Sequence, residues 1–381
     1  MSAYHQMGHL AQNLLHDPDL GLYAGAILSP VNYEEEEVAG QIAGLKAREQ
    51  FDTVFDPQLY CPKATRGKLP NWSYYPSDVD TADVASMSWW YQVIDRVVET
   101  CAHIGPRAVC SPAMLPNAFT DQCFSHLVDI GNRLSRCLEG TGILPIQTVV
   151  AHLPDLAAPD RALQVASIVT RTAAERVYLI LVSPTEPRRE FDDPEPLKGG
   201  MRLIRTLEDA NLPVIVAFSS SDVLLWKFAG ASACATGKYF NLRRFTKSRF
   251  DEPAEGGGQL PYWIEESLLA FLRESDLIRV RNHELMSPAS DANPFGQQIL
   301  SKLDETPGAP WLGLGWRQFM YWFADIEQRI SAGAVDVEAL LRTAETNWLR
   351  LEDAKVLMEE PRNDGRWLRP WRRALLEHAQ A

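Results

Sequence analysis

Residues 146–182 read IQTVVAHLPDLAAPDRALQVASIVTRTAAERVYLILV. Two short apolar runs, 146–151 (IQTVVA) and 177–182 (VYLILV), bracket an amphipathic segment at 162–174. The continuous apolar character of the runs fits strands covered on both faces. Strand, helix, strand in that order is the βα unit of a parallel sheet.

The same rhythm extends in both directions. Further runs at 22–28 (LYAGAIL), 53–55, 107–110, 213–218 (PVIVAF) and 232–235 bring the number to seven, and helices are expected between them at 34–48, 89–104, 121–138, 197–211 and 222–228. Several of these helices start behind Pro or Asp. Glu34, Glu35, Glu36 and Glu37 crowd the first turn of one, where negative charge meets the positive end of the helix dipole. After Gly256-Gly257-Gly258, the segment QLPYWIEESLLAFLRES reads as a very short strand followed by a helix, which would complete an eighth unit. The first run passes into LSPVNYEEEE with no G-x-G-x-x-G, which argues against a dinucleotide-binding open sheet. The expected fold is therefore an α/β (β/α)8 barrel of TIM type over 1–280, irregular at its eighth unit.

The stretch 281–313 is rich in Pro, Asp, Asn and Ser and reads as a linker or crossing loop. Beyond it, 314–381 reads as a helical, Trp/Arg-rich C-terminal extension, with helices at 317–331, 337–352 and 370–379. Six of the eleven tryptophans follow residue 310, so they are expected to pack this unit. The only low-complexity element is the EGGGQ loop.

Composition narrows the function classes. A chain of 381 residues with 46% hydrophobic and 23% charged residues can bury a sizeable core, which excludes global disorder. A formal net charge of −13 argues against a surface built for non-specific nucleic-acid or membrane binding, so any polyanion must meet a local basic patch. No secretory leader pattern and no run of ~18 apolar residues is visible, so a cytoplasmic protein without membrane contact is expected. The cysteines Cys61, Cys101, Cys110, Cys123, Cys137 and Cys234 form no C-x-x-C pair and no zinc spacing; they read as reduced core thiols, with no metal and no cofactor indicated.

In such a barrel, chemistry sits at the C-terminal ends of the strands. Those ends deliver Ser29-Pro30, Asp56 with Tyr60, Ser111-Pro112, His152, Ser183-Pro184, Ser219 to Asp222, and Thr236-Gly237-Lys238. The three Ser-Pro pairs suit turn chemistry, although Ser183 and Ser219 could also offer hydroxyls to a substrate. No G-x-S-x-G marks a serine nucleophile. Asp56 stands where burial would raise its pKa and a cation would lower it, so it is a candidate nucleophile or acid/base; a turn-opening aspartate is the competing reading. His152 is a candidate general acid or base beside it, against a purely structural histidine.

The strongest local signal is ATGKYFNLRRFTKSR, with Lys238, Arg243, Arg244, Lys247 and Arg249 in an otherwise acidic chain. Thr236, Gly237, Lys238, Asn241, Arg243 and Arg244 suggest a phosphate site of the kind that barrels build after their last strands. Pairing with Asp251, Glu252, Glu265 and Glu266 is the alternative. The long excursion CPKATRGKLPNWSYYPSDVDTADVASMSWW offers Trp72, Tyr74 and Tyr75 for stacking on a base or sugar, or as pins holding the loop to the barrel. Asp78, Asp80 and Asp83 in it lack the EF-hand pattern. In the tail, Arg362, Arg366, Arg369, Arg372 and Arg373 alternate with Trp367 and Trp371, a mixture suited to RNA, DNA, a protein partner, a homodimer contact or an internal interface.

FDPQLY followed by an aromatic loop resembles, over half a dozen residues, the aspartate-bearing strand end of tRNA-guanine transglycosylase-like barrels. Their cysteine-rich zinc motif and their Gly-Gly-Phe after the aspartate are absent here, so membership is not inferred. A metal-dependent sugar isomerase or hydrolase needs more strand-end carboxylates and histidines than Asp56 and His152. The sequence thus points to an enzyme, a transferase or hydrolase, acting on a phosphate-bearing small molecule, nucleotide or nucleoside. The alternative is an inactive barrel serving as a nucleic-acid- or partner-binding subunit of a multi-protein bacterial system.

Overall fold

The computed structural model describes residues 3–46, 48, 50–251 and 259–380. Eight parallel strands close a barrel in sequence order: β1 (Tyr4–Gln6), β2 (Gly25–Leu28), β3 (Asp52–Phe55), β4 (Ala108–Cys110), β5 (Leu144–His152), β6 (Val177–Val182), β7 (Val214–Ala217) and β8 (Ala233–Thr236). Closure comes from β8 pairing back onto β1, with Tyr4 opposite Ala235. All six residues of β6 are buried, because barrel side chains face either the interior or the surrounding helices; this is why the apolar runs do not alternate. Across the interior, the Tyr178 hydroxyl on β6 donates to Gln6 Oε1 on β1 at 3.0 Å. At the N-terminal end, Asp52 accepts from Tyr4 at 2.9 Å and Arg176 at 2.7 Å, closing the bottom.

Three expectations are corrected here. The missing eighth strand is β1, at the start of the chain, where only three residues carry strand character. The segment after Gly258 forms an antiparallel hairpin outside the barrel, β9 (Trp263–Glu265) and β10 (Ala270–Leu272), followed by the helix Glu274–Asn282. The hairpin is fixed by the buried Glu265 carboxylate, which accepts from Trp263 Nε1, Ser267 N and Ser287 N at 2.8–3.1 Å. A short apolar run cannot distinguish this from a helix by periodicity.

The expected linker at 281–313 instead carries the helices Pro288–Ala292 and Pro294–Glu305. Ser287 caps one by accepting from Ser290 N, and Asn293 caps the other by accepting from Phe295 N and Gly296 N. The residues that suggest a loop are thus helix entries.

The expected C-terminal extension begins with a barrel element. Helix Leu312–Ser331 packs on β8 and on the helix Val223–Phe228, taking the eighth helical place in the ring. Tyr23 donates to the Met320 carbonyl at 2.8 Å, and Cys234 N donates to Glu327 Oε1 at 2.9 Å. The barrel therefore runs past residue 280, and the hairpin with its helices is an insertion between β8 and its helix.

The last helices, Val337–Asp353 and Leu368–Ala379, pack on each other, and the latter packs on the helix Pro194–Asp209. Trp371 is fully buried and donates from Nε1 to the Phe191 carbonyl at 2.8 Å. The tail arginines meet carboxylates of the chain itself: Arg362 with Glu186 and Glu360, Arg366 with Asp364, Arg369 and Arg372 with Glu345, and Arg373 with Glu195 and Glu377. Among the described residues, no helix is long and apolar enough to cross a membrane.

Candidate anion site at the barrel mouth

A cavity of about 580 Å³ opens at the C-terminal end of the barrel, within the range of small-molecule sites. Loops after β1, β2, β3 and β8, the segment leading to the hairpin, and helix Leu312–Ser331 all contribute to its wall. Five cationic side chains line it, Arg66, Arg188, Lys238, Arg243 and Arg249, and no carboxylate does so among the described residues.

Each cation is placed by local structure. Gly237 follows β8, where an added Cβ would lie 2.6 Å from Leu242 Cβ and 2.7 Å from the Gln6 carbonyl oxygen; only glycine lets the two chains approach this closely. Its carbonyl accepts from Arg243 Nε at 2.9 Å, and the Lys238 carbonyl accepts from Arg243 Nη2 at 2.8 Å. The Arg243 guanidinium lies over the Phe319 ring at 3.4 Å, near Phe240 and Phe271. Lys238 donates to the Leu10 carbonyl at 3.3 Å and stands over the rings of Trp316 and Tyr239 at 4.4 and 4.7 Å. Arg249 lies over Phe218 and Phe245, and shares the Phe250 ring with Arg66.

Burial without a carboxylate partner shapes the electrostatics. Burial pushes the Lys238 ammonium down to about 8, with Arg317 adding repulsion. Burial also holds the guanidinium groups of Arg66, Arg243 and Arg249 below the usual arginine range, and Arg66 repels Arg249 further. Arg249 Nε and Nη1 are buried with no hydrogen-bond partner among the described residues. Desolvating cations is costly, so an anion entering here is favoured by Arg66, Lys238, Arg243 and Arg249; Arg188 is exposed and already pairs with Glu186 at 3.4 Å.

Backbone strain gathers at the same end. Leu10, Gln58 and Phe218 hold φ of 52°, 54° and 55°, in the left-handed region that side chains disfavour. Leu10 supplies the carbonyl that holds Lys238, Gln58 lines the cavity, and Phe218 stacks on Arg249.

Asp56 lies just behind this wall at the end of β3 and is 1% exposed. Its carboxylate accepts from Tyr60 at 2.9 Å and from Gln58 N at 3.0 Å. Burial raises it to about 6, against the lowering effect of Tyr60, of the Gln58 N–H and of the Arg249 charge. Asp56 is not among the lining residues. His152 does not line the cavity either: its Nδ1 bonds Asp155 at 2.8 Å and its ring stacks on Phe119. The structure thus gathers Lys238, Arg243, Asn241 and the backbone of Gly237 at the mouth and leaves Asp56 and His152 apart from them.

The other candidates hold the fold. Arg244 meets Glu190 at 3.3 Å and Asp222 at 3.5 Å, and it does not line the cavity. Thr236 donates to the Ser219 carbonyl at 2.6 Å, Ser219 to the Val216 carbonyl, and Ser183 Oγ accepts from Thr185 N in a local turn. Trp72 and Tyr74, expected as stacking groups, are buried instead: Trp72 donates to the Pro30 and Tyr33 carbonyls, and Tyr74 to the Pro57 carbonyl at 2.8 Å. They pin the long loop, and that pinning presents Arg66. Glu252, weighed as a partner for these cations, lies outside the described residues; Glu265 and Glu266 are engaged by Trp263 and Arg329.

Arg66, Arg188, Tyr262 and Trp316 were not legible as site residues. Arg66 sits in a loop whose path depends on buried aromatics, and Trp316 belongs to a helix far along the chain. No group of three or more His, Cys, Asp or Glu is placed to hold a metal among the described residues.

No protein-family model matches the chain, and no curated protein matches it. Solved structures similar to it include a chitinase from Chromobacterium violaceum, 12% identical over 56% of this chain and 68% of that one, TM-score 0.37. Dihydrodipicolinate synthase from Oceanobacillus iheyensis is 11% identical over 100% and 94%, TM-score 0.33. The carboxyl transferase domain of Rhizobium etli pyruvate carboxylase is 10% identical; the match spans 84% of this chain but only 43% of that one, TM-score 0.35. The barrel is shown by its own strand pairing.

Proposed function

We propose that the chain is a barrel enzyme, a transferase or hydrolase, that takes a phosphate-bearing small molecule such as a phosphosugar or nucleotide at the barrel mouth. The observation that carries this reading is the cavity lined by five cations and, among the described residues, no carboxylate. Lys238, Arg243, Arg249 and Arg66 bind the anion, and planar guanidinium groups suit the geometry of phosphate oxygens. Lys238, an amine held near 8 and in contact with the cavity, is the acid/base group. Asp56 is closed under Tyr60 and acts as a positioning residue, holding Gln58 and biasing Arg249. The six free thiols suit a reducing, cytoplasmic setting.

The test is thermal unfolding against nucleotides, phosphosugars, inorganic phosphate and short RNA or DNA, for the wild type and for Lys238→Gln with Arg66→Gln. A ligand at ~100 times its Kd adds about 2.7 kcal/mol, a readable shift. Stabilisation of the wild type alone by a small phosphorylated compound supports the reading. Stabilisation by nucleic acid alone favours a barrel that binds a polymer without turnover.

A further inference from the structure

Four of the five cations at the mouth fall into two pairs with different surroundings; the fifth, Arg188, already pairs with Glu186 at 3.4 Å. Arg66 and Arg249 share the Phe250 ring, at 5.3 and 5.9 Å, and repel one another. Lys238 and Arg243 are joined through the Lys238 carbonyl and stand among Tyr239, Trp316, Phe240 and Phe319. The neighbour that repels Lys238 is Arg317, not a member of the other pair. The same wall carries uncharged polar groups, among them Ser29, Gln58 and Asn241.

Each pair also has open donor capacity. Arg249 Nε and Nη1 lack partners, and Arg243 spends Nε and Nη2 on backbone carbonyls, leaving Nη1 without a hydrogen bond among the described residues. A single phosphate satisfies one pair and leaves the open donors of the other unused. A polar chain with an anion at each end satisfies both.

We propose, resting on the reading above, that the substrate is a bis-anion: an elongated polar molecule with one anionic group between Arg66 and Arg249 and a second at Lys238 and Arg243. Its middle is hydroxylated or otherwise hydrogen-bonding, to match Ser29, Gln58 and Asn241. The site thereby selects for separated charges, not for total charge.

Calorimetric titration at fixed ionic strength tests this with three probes: a hexitol 1,6-bisphosphate, the corresponding hexitol 6-phosphate, and pyrophosphate, whose charge is concentrated at one point. The bisphosphate is expected to bind about tenfold to a hundredfold more tightly than the monophosphate, the worth of one further set of charge-assisted bonds, and more tightly than pyrophosphate. Arg66→Gln and Lys238→Gln should each bring the bisphosphate down to about the affinity of the monophosphate. Lys238→Met, which keeps the stem over its two rings, replaces the latter if it fails to fold. Equal affinity for mono- and bisphosphate, or preference for pyrophosphate, overturns the two-ended site while leaving a phosphate site standing. If no phosphate compound binds at all, the parent reading falls and this inference with it.

Discussion

Asp56→Asn separates two roles of this aspartate, and its effect depends on pH in a way the structure fixes. The carboxylate is buried and is raised from its ordinary 3.8 to about 6. A carboxylate raised on folding holds its proton more tightly in the native state. Its contribution is therefore fully present below the unfolded pKa and is lost as pH rises through the folded one. The rise corresponds to about 3 kcal/mol at neutral pH, of which about 2–3 kcal/mol develops between pH 4 and pH 8. Asparagine keeps an oxygen for Gln58 N and Tyr60 and carries no charge to desolvate. Relative to wild type, Asp56→Asn should thus gain about 2–3 kcal/mol between pH 4 and pH 8, measured by urea denaturation at both pH values. A pH-independent difference would refute the assignment of a desolvated, titrating Asp56. Because the carboxylate lies behind the wall, phosphate affinity at pH 7 should change less in this variant than in Lys238→Gln.

Further outcomes follow from the same geometry. Gly237→Ala places a Cβ within 2.7 Å of the Gln6 carbonyl and should cost about 1–3 kcal/mol in urea denaturation, since β1 cannot retreat without opening the barrel. Arg244→Met leaves Asp222 and Glu190 buried without their cation and should cost about 3–5 kcal/mol, read as a lowered Tm; an unchanged Tm would show that the cluster contributes nothing to folding. Anion affinity in the wild type should fall as pH passes from 7 to 9, because the Lys238 ammonium is lost near 8, and this fall should vanish in Lys238→Gln.

The barrel was legible because seven of its strands are buried on both faces and write that burial as unbroken apolar runs. β1 was not, since Tyr4, His5 and Gln6 carry little apolar signal; Gln6 points inward, where its Oε1 accepts from Tyr178. The boundary at 281–313 misled for a related reason: Ser287 and Asn293 are loop formers by composition and helix caps by hydrogen bonding. At the site, the basic run after β8 was visible as charge density. The pairing that removes Arg244 from it, and the packing that adds Arg66 and Trp316, exist only once distant segments meet. Asp56 and His152 stood out as strand-end acid and base, but position along a strand does not say whether a neighbour such as Tyr60 will cover the group.

An anion seated between Arg66 and Arg249 would be visible in a crystal. Crystals soaked in tungstate, a phosphate analogue visible by its anomalous scattering, test for it directly. A peak is expected within hydrogen-bonding distance of both guanidinium groups, abolished in Arg66→Gln crystals soaked alike. An empty mouth, at a tungstate concentration that raises the Tm of the protein in solution, would contradict the anion site.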